Sequence, residues 1–215
     1  MKIDIVSDVV CPWCVIGYYR LRQALESSGI EAEIRWHPFE LNPGMPEGGQ
    51  NLREHLAGKY GTTLEGSVAA RKRLTALGEQ LGFTFNYFDE MRTYNTFQAH
   101  QLLHWAGQSG RQTPLQHALF EAYFSRQESL DDAPVLLDAA ERAGLDREQA
   151  AEVLRSGRYA EIVRNEMDQW LSRGIQGVPA FIFNGQYLVT GAQEPEHFIE
   201  LLSRIDQEQQ AASLQ

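Results

Sequence analysis

The chain opens on a period-two alternation, Ile3 and Ile5 against Lys2 and Asp4, the pattern of a strand with one buried face. Beyond Cys11-Pro12-Trp13-Cys14 the period turns helical. Val15, Tyr18/Tyr19, Arg22 and Leu25 recur along the chain, and Gly29 marks a stop. Residues 31–39 alternate again around Ile34 and Trp36, with Pro38 at the end or at an edge position. Strand, helix, strand is the start of a right-handed parallel crossover unit. A breaker-rich loop follows through Asn42-Pro43-Gly44, Pro46 and Gly48-Gly49.

The next hundred residues carry almost no strand signal. Helices are predicted over 52–60, ended by Gly61, and over 68–81, ended by Gly82; residues 83–94 are aromatic and irregular. Residues 96–106 place Phe97, Ala99, Leu102, Leu103 and Ala106 on one face. Thr113-Pro114-Leu115-Gln116 reads as a capping box with proline at the first helical position. Further helices are predicted over 134–143 and after a cap at Asp146, giving the periodicity of a packed bundle. One more amphipathic helix, through Val163, Met167 and Trp170, leads to two apolar runs flanking Asn184-Gly185, a hairpin signal. The last helix starts near Pro195, and the polar tail from Gln207 onward is expected to fray. The assembled order is β-α-β, a helical block, then α-β-β-α. It predicts an α/β, thioredoxin-like fold with a large all-helical insertion: a discontinuous domain of residues 1–41 and 157–215, and an insertion domain of residues 42–156.

Charge narrows the partners. The 215 residues carry a formal net charge of −10, so a basic footprint for nucleic acid or an anionic membrane surface is missing. No window approaches the roughly 18 uninterrupted apolar residues of a membrane span. The opening residues, with an early Asp4 and no apolar core before a small-residue cleavage site, do not read as a secretory signal. The expected compartment is the cytoplasm, where a catalytic dithiol is commoner than a structural disulfide.

Cys11 and Cys14 are the only cysteines, and they fall where a strand hands over to a helix. Two such residues can be inert core or half of a zinc site, but a structural zinc needs four ligands, and no second pair exists; no metal is expected. The strand-before, helix-after placement favours dithiol redox chemistry. Unpaired N–H groups and the helix dipole favour a thiolate at a helix start, an environment that draws a cysteine pKa from about 8.5 into the ~3.5–7.5 range. Cys11 is therefore expected to be the more exposed thiol and to attack a substrate disulfide, with Cys14 resolving the mixed disulfide. Pro12 presets the helical dihedral, and Trp13 adds apolar surface beside the reactive sulfur. Gly177-Val178-Pro179-Ala180-Phe181 opens a later strand. From base rates alone its proline bond reads as trans, since only about 5–6% of such bonds are cis.

With CPWC at 11–14 and GVPAF at 177–181, together with HPFELNPGMPEGG (37–49), NTFQAH (95–100), EAYF (121–124) and VTGAQ (189–193), the chain resembles DsbA-like thioredoxin-fold oxidoreductases. Within them it resembles the FrnE-like branch and, more distantly, the 2-hydroxychromene-2-carboxylate isomerases and kappa-class glutathione transferases. The resemblance implies Cys11 as nucleophile, Cys14 as resolving thiol and Pro179 as a cis-proline. Val178 would tune access and redox poise and offer its backbone to an extended peptide or glutathione. Asn95 and His100 would line a groove between insertion and thioredoxin unit; from the residues alone, His100 reads as a hydrogen-bonded histidine on a packed helix. Asp8 and Glu40 are the nearest candidates for a buried charge beneath the dithiol, and each reads more simply as a solvated surface carboxylate.

The leading expectation is a thiol–disulfide oxidoreductase or isomerase acting on protein or small-molecule disulfides, with no bound cofactor and with glutathione as a candidate redox partner or co-substrate. The isomerases and kappa transferases carry serine where this chain has Cys11, which argues for redox chemistry over a glutathione-assisted isomerase or transferase. A non-catalytic redox-sensing or chaperone-like module is the third reading. Oligomeric state and physiological substrate are not legible.

Overall fold

β1 (Lys2–Ser7) is the axis of a four-stranded sheet in a computed structural model that describes residues 1–213. On one side it pairs in parallel with β2 (Glu33–Pro38), Ile3 opposite Ile34 and Ser7 opposite Pro38. On the other it pairs antiparallel with β5 (Ala180–Phe183), Ile5 opposite Phe181 and Val6 opposite Ala180. β6 (Tyr187–Thr190) completes the order β2-β1-β5-β6. The β5–β6 turn uses Asn184 and Gly185 at φ 50° and 69°, the paired positive values that a tight hairpin requires.

Between β1 and β2 runs α1 (Pro12–Ser28), ended by Gly29 in the left-handed conformation. α2 (Leu52–Tyr60) and α3 (Leu64–Leu81) follow the loop after β2. Then come α4 (Phe97–Gly107), α5 (Gln112–Phe120), α6 (Ala133–Arg142), α7 (Arg147–Ser156) and α8 (Ala160–Ser172), before β5 and the last helix, α9 (Pro195–Ser213). α1 and α9 cover one face of the sheet, where Ile3, Ile5, Phe181 and Phe183 join a core continuous with the helices as far as Val153. Trp170 of α8 and Ile175 cover the other face, over Val6, Ala180 and Ile182. Both faces of β1 are thus buried at its C-terminal end, which explains why its alternation fades after Ile5.

Four local expectations are corrected. The helical block is not strand-free: β3 (Gln50–Asn51) pairs antiparallel with β4 (Arg92–Thr93), a ladder too short to leave a periodic pattern. α3 starts a turn earlier than residue 68, because the Thr63 side chain accepts from the Gly66 N–H and caps it. The Thr113 capping box does not form; α5 begins at Gln112, and the Thr113 hydroxyl accepts the Trp36 indole N–H at 2.9 Å. That tertiary bond competes with local capping and wins. The tail from Gln207 does not fray but continues α9 to Ser213, with Gln210 donating to Asp206 at 2.7 Å; Leu214 and Gln215 lie outside the described residues.

Candidate active site

β1 ends at Ser7, and the chain turns through Asp8, Val9 and Val10, the Cys11 N–H donating to the Asp8 carbonyl at 3.1 Å. Cys11 is the N-cap residue of α1, in extended conformation, with Pro12 in the first turn where its missing N–H costs nothing. Cys14 follows one turn inside, and the two cysteines, both free, approach to 3.4 Å. Cys11 is 4% exposed and Cys14 0%, so the order of exposure is as expected, but both thiols are buried. Burial pushes the Cys14 thiol well up, the neighbouring Cys11 adds to this, and the Ser7 hydroxyl offsets part of it.

The second wall comes from the segment leading into β5. The Val178-Pro179 bond is cis, and the Val178 carbonyl faces the Cys11 sulfur at 3.8 Å. Register explains the meeting: Val6 opposes Ala180, so the chain leaving β1 toward Cys11 lies beside the chain arriving through Val178. Gly17 of α1 lets this wall close, since a Cβ there would stand 3.2 Å from Pro179 Cγ and 2.9 Å from Phe181 Cζ. Trp13 remains 36% exposed at the mouth, with the Arg73 guanidinium of α3 5.5 Å from its ring centroid.

Behind the cysteines lies a polar layer. Asp8, expected at the surface, is 0% exposed. One carboxylate oxygen accepts the Leu41 N–H at 2.8 Å and the other lies 3.4 Å from His100 Nε2. His100, 2% exposed, also meets the Phe39 carbonyl at 3.0 Å; it is a packed, hydrogen-bonded histidine behind the dithiol. Asp8 is therefore corrected from a solvated to a buried carboxylate, with Oδ2 held by the loop after β2 and Oδ1 left without a hydrogen-bond partner. Glu40 is half-buried, and burial raises its pKa against the pull of His100. Asn95 Nδ2 donates to Glu40 Oε1 at 3.0 Å, and Asn95 Oδ1 accepts the Phe97 N–H at 2.9 Å, so Asn95 joins the start of α4 to the loop after β2.

The periodic reading missed the part played by α3, whose Arg73 covers Trp13 at the rim. The available signal was the run Arg71-Lys72-Arg73 in a chain of net charge −10.

Residues 2–203 match the DSBA-like thioredoxin domain. A structure called a probable DsbA oxidoreductase, from Streptomyces coelicolor, is 33% identical, with a TM-score of 0.89 over 95% of this chain and 89% of that one. Two others are similar in fold, both at 16% identity. A 2-hydroxychromene-2-carboxylate isomerase has a TM-score of 0.69 over 100% of both chains. The cytosolic disulfide reductase DsbM from Pseudomonas aeruginosa has a TM-score of 0.66 over 96% of this chain and 99% of that one. With two cysteines at the start of α1 and a match spanning nearly its whole length, the chain belongs to the DSBA-like thioredoxin domain family.

Proposed function

We propose that the chain is a thiol–disulfide oxidoreductase that uses Cys11 as nucleophile and Cys14 as resolving thiol. The observation that carries this reading is the stacking of three groups in depth: the Val178 carbonyl, the Cys11 sulfur and the wholly buried Cys14. In the reducing direction the Cys11 thiolate attacks a substrate disulfide. A Cys11–substrate S–S bond forms, the substrate S–S bond breaks, and the departing thiolate takes a proton from water. Cys14 then gives up its proton and attacks the Cys11 sulfur. The Cys11–Cys14 disulfide forms, the second substrate thiol leaves, and two electrons have passed to the substrate.

The raised pKa of Cys14 suits this order, because a neutral buried thiol stays inert until Cys11 is engaged. A low-molecular-weight thiol of the glutathione class restores the dithiol by the reverse exchange. Val178 and Pro179 form the wall against which the substrate chain lies, Trp13 offers the apolar rim, and Pro12 fixes the first turn. Asp8 and His100 hold the strand–helix junction in place. A cytoplasmic setting favours the reductive direction.

The test is insulin reduction with glutathione as electron source. Cys11→Ser is expected to abolish turnover, and Cys14→Ser to accumulate a mixed disulfide visible by mass spectrometry. Full turnover by the Cys11→Ser protein would sink the proposal.

A further inference from the structure

The sheet treats its two edges differently. On β2 the outward N–H and C=O of Trp36 are both taken by the Gln112 side chain. β6 is the opposite edge, and there an exposed leucine, Leu188, stands where lysine or proline would ordinarily blunt a free strand. The Gly191 N–H donates to the Pro179 carbonyl at 2.8 Å, so the odd-numbered residues of β6 are those that bond to β5. Leu188 and Thr190 therefore turn their N–H and C=O groups outward. The Thr190 carbonyl already accepts Gln193 Nε2 at 2.7 Å, which leaves Leu188, among the described residues of β6, as the pair open to a further strand.

Beside this edge runs a cleft of about 580 Å³ between β6 and α9, walled by Tyr187, Val189, His197, Glu200, Leu201 and Arg204. Arg204 is tethered there, with its guanidinium 5.4 Å from the Tyr187 ring centroid and its Nε 3.9 Å from Glu208 Oε1. Glu200 stands one turn earlier on α9, exposed on the same side. The edge is thus flanked by one acid and one base, four residues apart. A two-fold axis through Leu188, perpendicular to the sheet, keeps both copies of α9 on one face and runs them in opposite directions. Glu200 of each copy then faces Arg204 of the other, so the flank is complementary to itself. Opposite charges at the contact also offset the mutual repulsion of two chains that each carry −10.

We infer that the β6 edge is a homodimer interface: Leu188 pairs antiparallel with Leu188 of a second copy, joining two sheets into one, and Glu200 of each copy meets Arg204 of the other. The two Leu188 side chains become cross-strand neighbours and bury each other. A head-to-tail contact of β6 on β2 would run on into filaments, and Gln112 closes it by occupying Trp36. The closed, two-fold pair is what remains. Thr190 lies opposite Ala180, next to Pro179, so the interface runs up to the second wall of the candidate site. The inference stands apart from the dithiol reading.

Two measurements on the full chain test it. In the first, sedimentation velocity follows the mass from about 1 to about 300 µM, the range suited to a small interface. The wild type is expected to reach twice the mass of one chain and to stop there. Leu188→Lys, at an exposed position that leaves the β5 ladder intact, should raise the dissociation constant at least about tenfold. Glu200→Arg should raise it about fivefold, and the double variant Glu200→Arg/Arg204→Glu should return it to near the wild-type value, because the swap restores both pairs across the axis. A double variant no tighter than Glu200→Arg alone overturns the pairing. In the second, hydrogen exchange is read residue by residue at low and high protein concentration. The Leu188 amide is expected to slow at least about tenfold as the dimer forms, while the Val189 amide, bonded to β5, stays unchanged. A dimer whose Leu188 amide exchanges freely makes its contact elsewhere and overturns the proposal. A monomer at every concentration overturns it too, and leaves the edge to a strand from another protein.

Discussion

The carbonyl oxygen of Val178 stands 3.8 Å from the sulfur of Cys11, across 167 residues of chain. Neither segment is near the other until β1 takes β5 as its antiparallel neighbour. The pairing fixes the site because β1 is central: β2 holds it from one side and β5 from the other, so its C-terminal end has little freedom to shift. The Cys11 sulfur therefore sits at the exit of the central strand of the sheet.

Gly17 sets how closely α1 approaches that strand pair. Alanine at this position gains about 1 kcal/mol in helix propensity. Against that, its Cβ would meet Phe181 Cζ at 2.9 Å, and Phe181 is fully buried against Phe198 at 5.1 Å between ring centroids. Overpacking of this kind costs about 1–3 kcal/mol. Gly17→Ala should lose up to about 2 kcal/mol net in urea unfolding and lose disproportionately more disulfide-reductase activity, since the same Cβ presses on Pro179 at 3.2 Å. Unaltered activity in a destabilised protein would show that the spacing between α1 and Pro179 does not control the chemistry.

Gln112 closes the open edge of the sheet. Its side-chain amide imitates a neighbouring strand: Oε1 accepts the Trp36 N–H at 2.9 Å and Nε2 donates to the Trp36 carbonyl at 2.8 Å. It does so from the wall of a cleft of about 580 Å³ between β2 and the helices. Gln112→Ala should destabilise by about 1–3 kcal/mol, a melting shift of several degrees. It should also promote self-association through the uncovered edge, measured by light scattering. Gln112→Glu keeps the acceptor and loses the donor, so a loss equal to that of alanine would mean the donor half carries the effect.

What could be read from residues alone was whatever is local. The dithiol at a strand-to-helix junction and the Asn184-Gly185 hairpin are written within a few positions, and both stand where expected. The meeting of Val178 with Cys11 is not local, and only the resemblance pointed to it. Asp8 was misjudged because its burial depends on the Leu41 N–H, which arrives from 33 residues away. Thr113 was misjudged for the same kind of reason, a partner in Trp36 that capping rules do not see. Arg71 and Tyr87 meet through packing between α3 and an aperiodic segment, so no sequence period connects them.

His37 ties three elements together and makes stability depend on pH. Its Nδ1 meets Glu166 Oε1 of α8 at 2.5 Å and its Nε2 meets Asp4 Oδ1 of β1 at 2.8 Å. Burial opposes a charge on His37, but the hydrogen bonds to Asp4 and Glu166 outweigh it and raise its pKa. Burial likewise opposes a charge on Glu166, yet hydrogen bonds from His104 and His37 bring its pKa down to about 2. A raised histidine stabilises the fold fully below its unfolded value of about 6.5, and the contribution is lost as pH rises through the folded value. A lowered carboxylate stabilises above its unfolded value, here 4.5, and the contribution is lost as pH falls toward 2. The cluster is therefore worth most between about pH 4.5 and 6.5, with the Glu166 shift alone of order 3 kcal/mol. Half-buried His117 has a lowered pKa and slopes the opposite way, so the informative quantity is the difference between wild type and His37→Gln. That difference, from urea unfolding at pH 5.5, 7 and 9, should shrink steadily as pH rises. A difference that is constant across the three pH values would show that His37 contributes by packing on Trp170, 4.7 Å away between ring centroids, and not by its charge.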